Sequence, residues 1–421
     1  MSVHEKAQSI PAGEPAKALW ISTTAFTLCF AVWTIFAIIG IRIKQELGLS
    51  EAEFGLLVGT PVLTGSIVRI VLGVWTSRYG GRLVYTLTML AAALATFLLS
   101  YATTYAEMLI AGLGVGLAGG SFAVGVAYVS PFFPPEKQGT ALGIFGAGNV
   151  GAAVTKFAAP FVLIAWGWQA VAEIWALVLA VMALVFWFTT TDDPAFQARR
   201  ARGIASKSLL QEFAPLKNVQ VWRFSLYYFF AFGGFVALSL WLPRYLVGVY
   251  GFNLEVAGMV AAAYSIPGSI FRAFGGMLSD KRGARSVMYV MLAVSAVATL
   301  ILSLPAAPAS GSAFGVTPPI FIVAIFVLGF FMSLGKAAVY KHIPAYYPES
   351  IGAVGGIVGM MGGLGGFILP IAFGVLKDLT GLWSSCFLLL FAIVAISLIW
   401  MHLSIRRLER GGLSASVVTA S

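Results

Sequence analysis

The chain has 421 residues, of which 59% are hydrophobic and only 10% charged, and its mean hydropathy is +0.92. A water-soluble globule of that composition would expose large apolar patches, so the soluble classes are excluded and the chain reads as an integral membrane protein. The formal net charge of +10 is assigned to membrane topology and to anionic lipid surfaces, and no nucleic-acid partner is expected.

An apolar run of about 20 residues crosses a hydrocarbon layer of roughly 30 Å as a helix. A charged head over residues 1–17, with Lys6 and Lys17, precedes the first such run at 18–41. That run is too long for a cleaved signal and leads straight into another span, so it is read as a retained helix. Further runs fall near 54–76, 83–104, 107–131, 139–166 and 169–190. A basic segment over 191–223 follows, carrying Arg199, Arg200, Arg202, Lys207, Lys217 and Arg223. Six more runs lie near 224–249, 255–278, 286–304, 318–341, 350–376 and 382–403, and residues 404–421 form a tail. Barrel strands would show short alternating segments, whereas these runs are continuous. The expected fold is an all-α membrane protein of twelve transmembrane helices in two pseudo-symmetric six-helix bundles, 18–190 and 224–403.

Lysine and arginine collect on cytoplasmic loops. The 191–223 segment is rich in them, while the connection LPAAPASGSAFGVTPP after the ninth span has none. The linker, the N-terminal segment and the tail are therefore expected to be cytoplasmic. Arg42 and Lys44, placed on the first outer loop, oppose this bias locally. Cys29 and Cys386 sit in spans of opposite halves and read as packing residues, with no disulfide, no metal site and no cofactor expected. Of the three histidines only His342, at the mouth of the tenth span, lies away from the chain ends.

The two halves share a repeat. A shift of 203 residues superimposes GSIVRIVLGVWTSRYGGR (65–82) on GSIFRAFGGMLSDKRGAR (268–285), so Arg69 meets Arg272, Gly80 meets Gly283 and Arg82 meets Arg285. The turn closing each copy resembles the cytoplasmic loop motif of the major facilitator superfamily, which lies between the second and third helices of each half. The second copy keeps the acid as Asp280; the first has Ser77, so any ionic latch there must be paired differently. A second related pair is GIFGAGNVGAAVTKFAAP (143–160) and GIVGMMGGLGGFILP (356–370). Glycines at three- to four-residue spacing strip a helix face down to backbone and admit a neighbouring helix or a small ligand. GAGNVG satisfies G-x-G-x-x-G, but no strand precedes it and no acid follows at the required distance, so a dinucleotide site is rejected.

Of the 26 Lys and Arg residues, only Arg69, Lys156, Arg272 and Lys336 sit well within spans, and none of the 16 acids sits equally deep. An unpaired buried charge costs several kcal/mol or more, ~2.5–3.5 kcal/mol even on insertion scales. Four like charges without a carboxylate define an anion site whose ligand supplies the missing partner. The alternative is snorkelling to the surface: Arg69 lies about 6 Å from Gly73 along a helix, and Lys336 is near a span end. The repeat at Arg272 counts against it for the arginines, and Lys156 has no nearby interface. Guanidinium offers a planar fork of donors that fits a planar oxyanion in two parallel bonds. Phe30, Phe122, Tyr228 and Phe232 stand near mid-span as candidate walls.

GAGNVGAAVTKFAAP and GGLGGFILP resemble the two glycine-rich signatures of the nitrate/nitrite porter (NarK-like) family of major facilitators, with Gly146, Gly148, Gly151, Gly362, Gly363, Gly365 and Gly366 as signature glycines. The likeness covers essentially the whole chain, including LWISTTAFTLCFAVW and SFAVGVAYVSPFFP. The resemblance implies that Arg69 and Arg272 grip the anion, that Phe30, Phe122 and Tyr228 form its walls and that Asn149 supplies an amide. Exchanger-type members carry an uncharged residue where this chain has Lys156, which is similar instead to the branch assigned to proton-linked nitrate uptake. The resemblance thus implies secondary active transport of nitrate, with nitrite as a second substrate, through a bacterial inner membrane by alternating access. A monomer in the lipid bilayer is expected, with proton symport carried by Lys156 or Lys336. The alternatives are nitrate/nitrite antiport, which needs no titratable group, and transport of a small carboxylate such as formate or oxalate. No nucleophile, acid pair or metal cluster points to an enzyme.

Overall fold

The computed structural model describes residues 13–194, 196, 197, 200, 217–307, 315–346 and 351–410. The expected N-terminal segment up to residue 12, Arg199, the linker over 201–216 with Arg202 and Lys207, and the tail from residue 411 lie outside the described residues. Within them the only strand-like pairing is an isolated bridge between Ala306 and Val316. The regular structure is helical: α1 Glu14–Trp33, α2 Phe36–Leu47, α3 Glu51–Tyr79, α4 Gly81–Leu99, α5 Tyr105–Val115, α6 Ser121–Val129, α7 Pro135–Gly146 and α8 Gly151–Thr189 in the first half. The second half holds α9 Val219–Tyr228, α10 Phe235–Tyr250, α11 Leu254–Ile270, α12 Arg272–Arg282, α13 Ala284–Leu302, α14 Pro318–Tyr346, α15 Ile351–Thr380 and α16 Ser385–Arg410.

Ten helical stretches among the described residues are long and apolar enough to cross a membrane, and α11 with α12, bent by 41°, makes an eleventh. One of the ten, Thr140–Thr189, runs 50 residues, about 75 Å at ~1.5 Å per residue, far beyond a single crossing. Gly167 breaks it with φ 88°, a conformation that glycine adopts without steric cost. Divided there, the rods number twelve. The first begins at Glu14 and continues through α2, so Arg42 and Lys44 belong to a helix and not to the outer loop where the sequence put them. Their charges end an amphipathic last turn: Arg42 pairs with Glu46 one turn on at 2.8 Å, and Lys44 donates to the carbonyl of Leu49.

The repeat is visible in the backbone. Gly80 (φ 90°, ψ 145°) and Gly283 (φ 81°, ψ 138°) make the same left-handed turn before α4 and α13. In the second copy Asp280 pairs with Lys341. In the first, an acid from beyond the sixth span and the end of that span stand in: the Gly81 amide donates to Asp193 at 3.4 Å, while Arg82 donates to the Trp187 carbonyl at 3.0 Å and stacks on its ring at 4.2 Å.

Several spans are interrupted near their middles: at Thr34 between α1 and α2, by 3-10 turns at Gly116–Gly120 and Ala147–Val150, by a π-helical turn at Phe229–Gly234, and at Phe271 between α11 and α12. Breaks of this kind free backbone groups and re-aim side chains. Glycines set how closely the rods approach. A β-carbon on Gly151 would sit 2.0 Å from the Thr27 carbonyl oxygen, so α8 lies directly on α1. Gly365 does the same against Phe229 and Gly233. The halves also meet at glycines, Gly363 on the Ser66 side chain, Gly55 on the Pro370 carbonyl and Gly258 on the Lys156 carbonyl. At one mouth Glu51, on α3, takes Arg244 through two bonds and Lys44 at 3.6 Å, while Asp378 accepts the Ala52 amide at 2.8 Å.

Gly151→Ala forces a methyl into backbone that cannot give way, an overpacking cost of about 1–3 kcal/mol. Gly276, inside α12, has nothing within 4 Å of its would-be β-carbon, so Gly276→Ala is expected to melt at the parent's temperature or above it. Thermal unfolding of the purified variants checks this, and equal melting temperatures would mean that the fifth span does not need this approach.

Candidate functional site

The breaks deliver a set of side chains to one place. Arg69, on α3, is buried and donates from Nε to the Gly119 carbonyl at 3.3 Å and from Nη1 to the Gly359 carbonyl at 3.2 Å. Gly119 is in its own half, in the 3-10 turn Gly116–Gly120; Gly359 is in the other. Arg272 opens α12 just past the bend, is also buried, and its Nη1 has no hydrogen-bond partner. It lies over Gly146, whose would-be β-carbon would be 3.3 Å from its Cδ. The two arginines therefore face glycines of the opposite half, and Gly146 and Gly359 occupy matching places in the paired signatures.

Both guanidiniums reach the ring of Phe122, at 5.7 Å from Arg69 and 5.3 Å from Arg272, which bounds the separation of their central carbons at 11.0 Å. Arg69 also stands over Phe232 at 5.3 Å and Trp33 at 5.6 Å, and Arg272 over Tyr340 at 5.9 Å. Tyr228 closes the wall, stacked on Phe232 at 5.2 Å and edge-on to Tyr340 at 5.0 Å. Aromatic faces supply about 0.5–2 kcal/mol each to a cation, and none supplies a formal negative charge. Among the described residues no carboxylate pairs with Arg69, Arg272, Lys156 or Lys336. The second buried signal is Asn149, fully enclosed in the Ala147–Val150 turn, with neither its Oδ1 nor its Nδ2 bonded. An amide left so costs about 1–3 kcal/mol, unless something else binds it.

The two lysines sit elsewhere. Lys156, wholly buried, crosses from α8 to donate to the Ser265 hydroxyl on α11, which stands 3.3 Å from the hydroxyl of Ser239 on α10. Lys336 donates to the Gly268 carbonyl and lies 3.5 Å over the ring of Phe235. Of the residues singled out in the sequence, Arg69, Arg272, Phe122, Tyr228 and Phe232 come together. Phe30 stands behind the wall, edge-on to Trp33 at 5.2 Å and to Phe26 at 5.8 Å. Gly148 packs on Phe26, Gly362 on Tyr228 and Gly366 on Val236, so the signature glycines shape the walls. Trp33, Tyr340, Ser265 and Gly359 were missed. Tyr340 follows Lys336 by one helical turn, and Gly359 aligns with Gly146; both signals were in the sequence.

The family model for the Major Facilitator Superfamily matches residues 21–317 and 254–417. The chain is 42% identical, over 93% of its length and 92% of the relative's, to a protein of Thermus thermophilus named a probable nitrate/nitrite antiporter NarK1. It is 31% identical to the nitrite extrusion protein of Bacillus subtilis (strain 168), over 89% of this chain and 91% of that one. In structure it is similar to a bacterial homolog of the human lysosomal transporter Spinster in an inward-facing, unoccupied conformation, with a TM-score of 0.73 at 17% identity, covering 96% of this chain and 99% of that one.

Replacing the unpartnered amide by an apolar group of similar size removes a buried unsatisfied group. Asn149→Leu is expected to unfold at the parent's temperature or above it, yet to lose binding of small oxyanions in calorimetric titration. Retained binding would assign Asn149 to packing alone.

Proposed function

The chain belongs to the Major Facilitator Superfamily and, within it, to the NarK-like nitrate/nitrite porters, and we propose that it moves nitrate, and nitrite as a second substrate, across a bacterial inner membrane by alternating access. The observation that carries this reading is the pair of buried guanidiniums around Phe122, one with an unpartnered donor, with no acid beside them. A flat anion of four heavy atoms between the two forks would accept paired hydrogen bonds from each, with the aromatic rings closing above and below and Asn149 as a further polar contact. Each arginine leans on backbone of the opposite half, so a bound anion ties the halves together at the midplane. In the proposed arrangement the bundles are residues 18–190 and 224–403, both termini are cytoplasmic, and the protein works as a monomer.

Coupling to protons is the finer part of the proposal. Lys156 is our candidate for the proton carrier, because its ammonium crosses the interface to Ser265 on the span whose second helix opens with Arg272. Lys336 is held within its own half by Gly268 and Phe235 and is the second candidate. The rival mode, nitrate/nitrite exchange, is favoured by the antiporter name of the 42% identical relative and by the lack of deep carboxylates.

Arg272→Lys keeps the charge and loses the planar grip, a difference of about 1.5–3 kcal/mol per charged hydrogen bond. Uptake of labelled nitrate into proteoliposomes is expected to fall below detection, with formate and chlorate as competitors in the parent to define the anion class. Parental uptake by a folded lysine variant would remove the forks from the site. Lys156→Gln is expected to retain nitrate counterflow while losing acceleration by an inward proton gradient. If the parent itself shows no response to the gradient, exchange is the mode; if the glutamine variant still responds as the parent does, the proton travels elsewhere.

A further inference from the structure

Arg69 has a further support, supplied by α1. Trp33, the last residue of that helix, is wholly buried, and its indole Nε1 donates to the Pro61 carbonyl at 2.8 Å. Pro61, Gly65 and Arg69 follow one another at four-residue spacing on α3 and so share one face of it. The indole lies along this stripe. It is bonded at Pro61, a β-carbon on Gly65 would fall 2.7 Å from its Nε1, and the Arg69 guanidinium carbon stands 5.6 Å over its ring.

The same ring reaches the 3-10 turn Gly116–Gly120, where a β-carbon on Gly119 would fall 2.4 Å from its Cε2. Gly119 is the residue whose carbonyl takes Arg69 Nε at 3.3 Å. The indole thus fills a slot between two glycines, one on the helix that carries Arg69 and one in the turn that holds it. A buried indole N–H needs an acceptor, so the bond to Pro61 sets where the ring sits along α3, and the ring sets the distance from α3 to the turn. The second half is built differently at the matching place. Gly268, the counterpart of Gly65, has Phe235 against it, 2.3 Å from the would-be β-carbon. Phenylalanine has no N–H to fix its position, and the cation 3.5 Å over this ring is Lys336, which donates to the Gly268 carbonyl. Arg272 keeps an Nη1 without a partner. Arg69 is clamped, while its repeat mate retains a free donor.

We propose that Trp33 is the positioning residue of Arg69: the indole holds the guanidinium aimed while the site is empty, which makes Arg69 the fixed arm of the grip and Arg272 the arm that adapts to the anion. The inference rests on the reading of these two arginines as the anion's grip. A group that is aimed for only a fraction of the time binds more weakly by that fraction. A bound anion holds the guanidinium itself, so loosening the indole lowers affinity and leaves the transit of the loaded carrier alone. Lost packing by itself does the reverse: less protein folds, and the affinity of what remains is unchanged.

The test is counterflow of labelled nitrate into proteoliposomes holding the purified full chain. KM and the maximal rate per folded protein are read separately, and melting temperature reports folding. Trp33→Phe keeps a ring and loses the N–H; KM is expected to rise about tenfold, the scale of one buried hydrogen bond, with the maximal rate within about twofold of the parent's. Gly65→Ala leaves the indole intact but displaces it, is expected to raise KM in the same way, and carries the test should Trp33→Phe fail to fold. Phe36→Leu, at a fully buried ring of α2 packed on Gly112, lowers the melting temperature and leaves KM at the parent's value. A parental KM in folded Trp33→Phe or Gly65→Ala, or an equal rise in Phe36→Leu, would overturn the positioning role and leave the two arginines in place. A parental KM in Arg69→Lys would instead remove the grip, and this inference with it.

Discussion

Two guanidiniums held in a low-dielectric interior without a carboxylate set the terms for the rest of this molecule. Each must be made tolerable by dipoles and ring faces, which are weak and must be numerous. Arg69 uses the carbonyls of Gly119 and Gly359 and three aromatic faces. Those carbonyls can come close because the residues that own them lack side chains. The Gly119 oxygen belongs to the 3-10 turn at Gly116–Gly120 that interrupts its span. Glycine, usually a weak point in a helix, is here what lets backbone oxygens act as partial counter-charges.

The chain does use acids where it needs a fixed structure. At the mouth formed by α3, α10 and α15, Glu51 satisfies Arg244 and Lys44 together, Asp378 caps the start of α3 from the other half, and Arg244 rests on Trp383 at 5.0 Å. Those cations are compensated from within the protein and call for no ligand. Lys336 is intermediate, settled by a carbonyl and a ring. Arg272 and Asn149 keep buried donors without a partner in the protein, and these are the groups that the proposed anion would meet. The sorting of cations into compensated and uncompensated classes separates the latch from the site more sharply than depth in the membrane does.

Much of this was legible in the sequence for definite reasons. Apolar runs of crossing length mark the spans because a bilayer forbids unpaired backbone, and the 203-residue repeat paired Arg69 with Arg272 before any geometry was known. The breaks were not legible. A residue such as Thr34 or Phe271 does not announce a helix interruption, and its position is decided by packing against the opposite rod. For the same reason Phe30, which the resemblance put on the wall, stands behind it, while Trp33, one turn on, meets Arg69. Tyr340 and Ser265 were hidden by being ordinary residues in apolar helices; their meaning comes from Arg272 and Lys156 beside them. Arg42 and Lys44 went to a loop because charge was taken to end a helix, whereas an amphipathic last turn with its own ion pair extends it.

The bend at Phe271 joins the two functions proposed for this chain. Ser265 lies on α11 and Arg272 is the first residue of α12, so the lysine's contact and the anion's contact are seven residues apart on one span, either side of the 41° turn. A lysine that holds Ser265 pins α11 to α8 in the opposite half, and Gly258 pressed on the Lys156 carbonyl adds a second anchor on the same pair of rods. Arg272 meanwhile lies over Gly146, on the same broken span as Lys156. Any change in the bond between Lys156 and Ser265 therefore acts on the span that aims Arg272, through two rigid helices and one hinge. In the proposed cycle, proton and anion need not touch to influence each other: both act on the angle between α11 and α12, the one at its far arm and the other at the hinge itself.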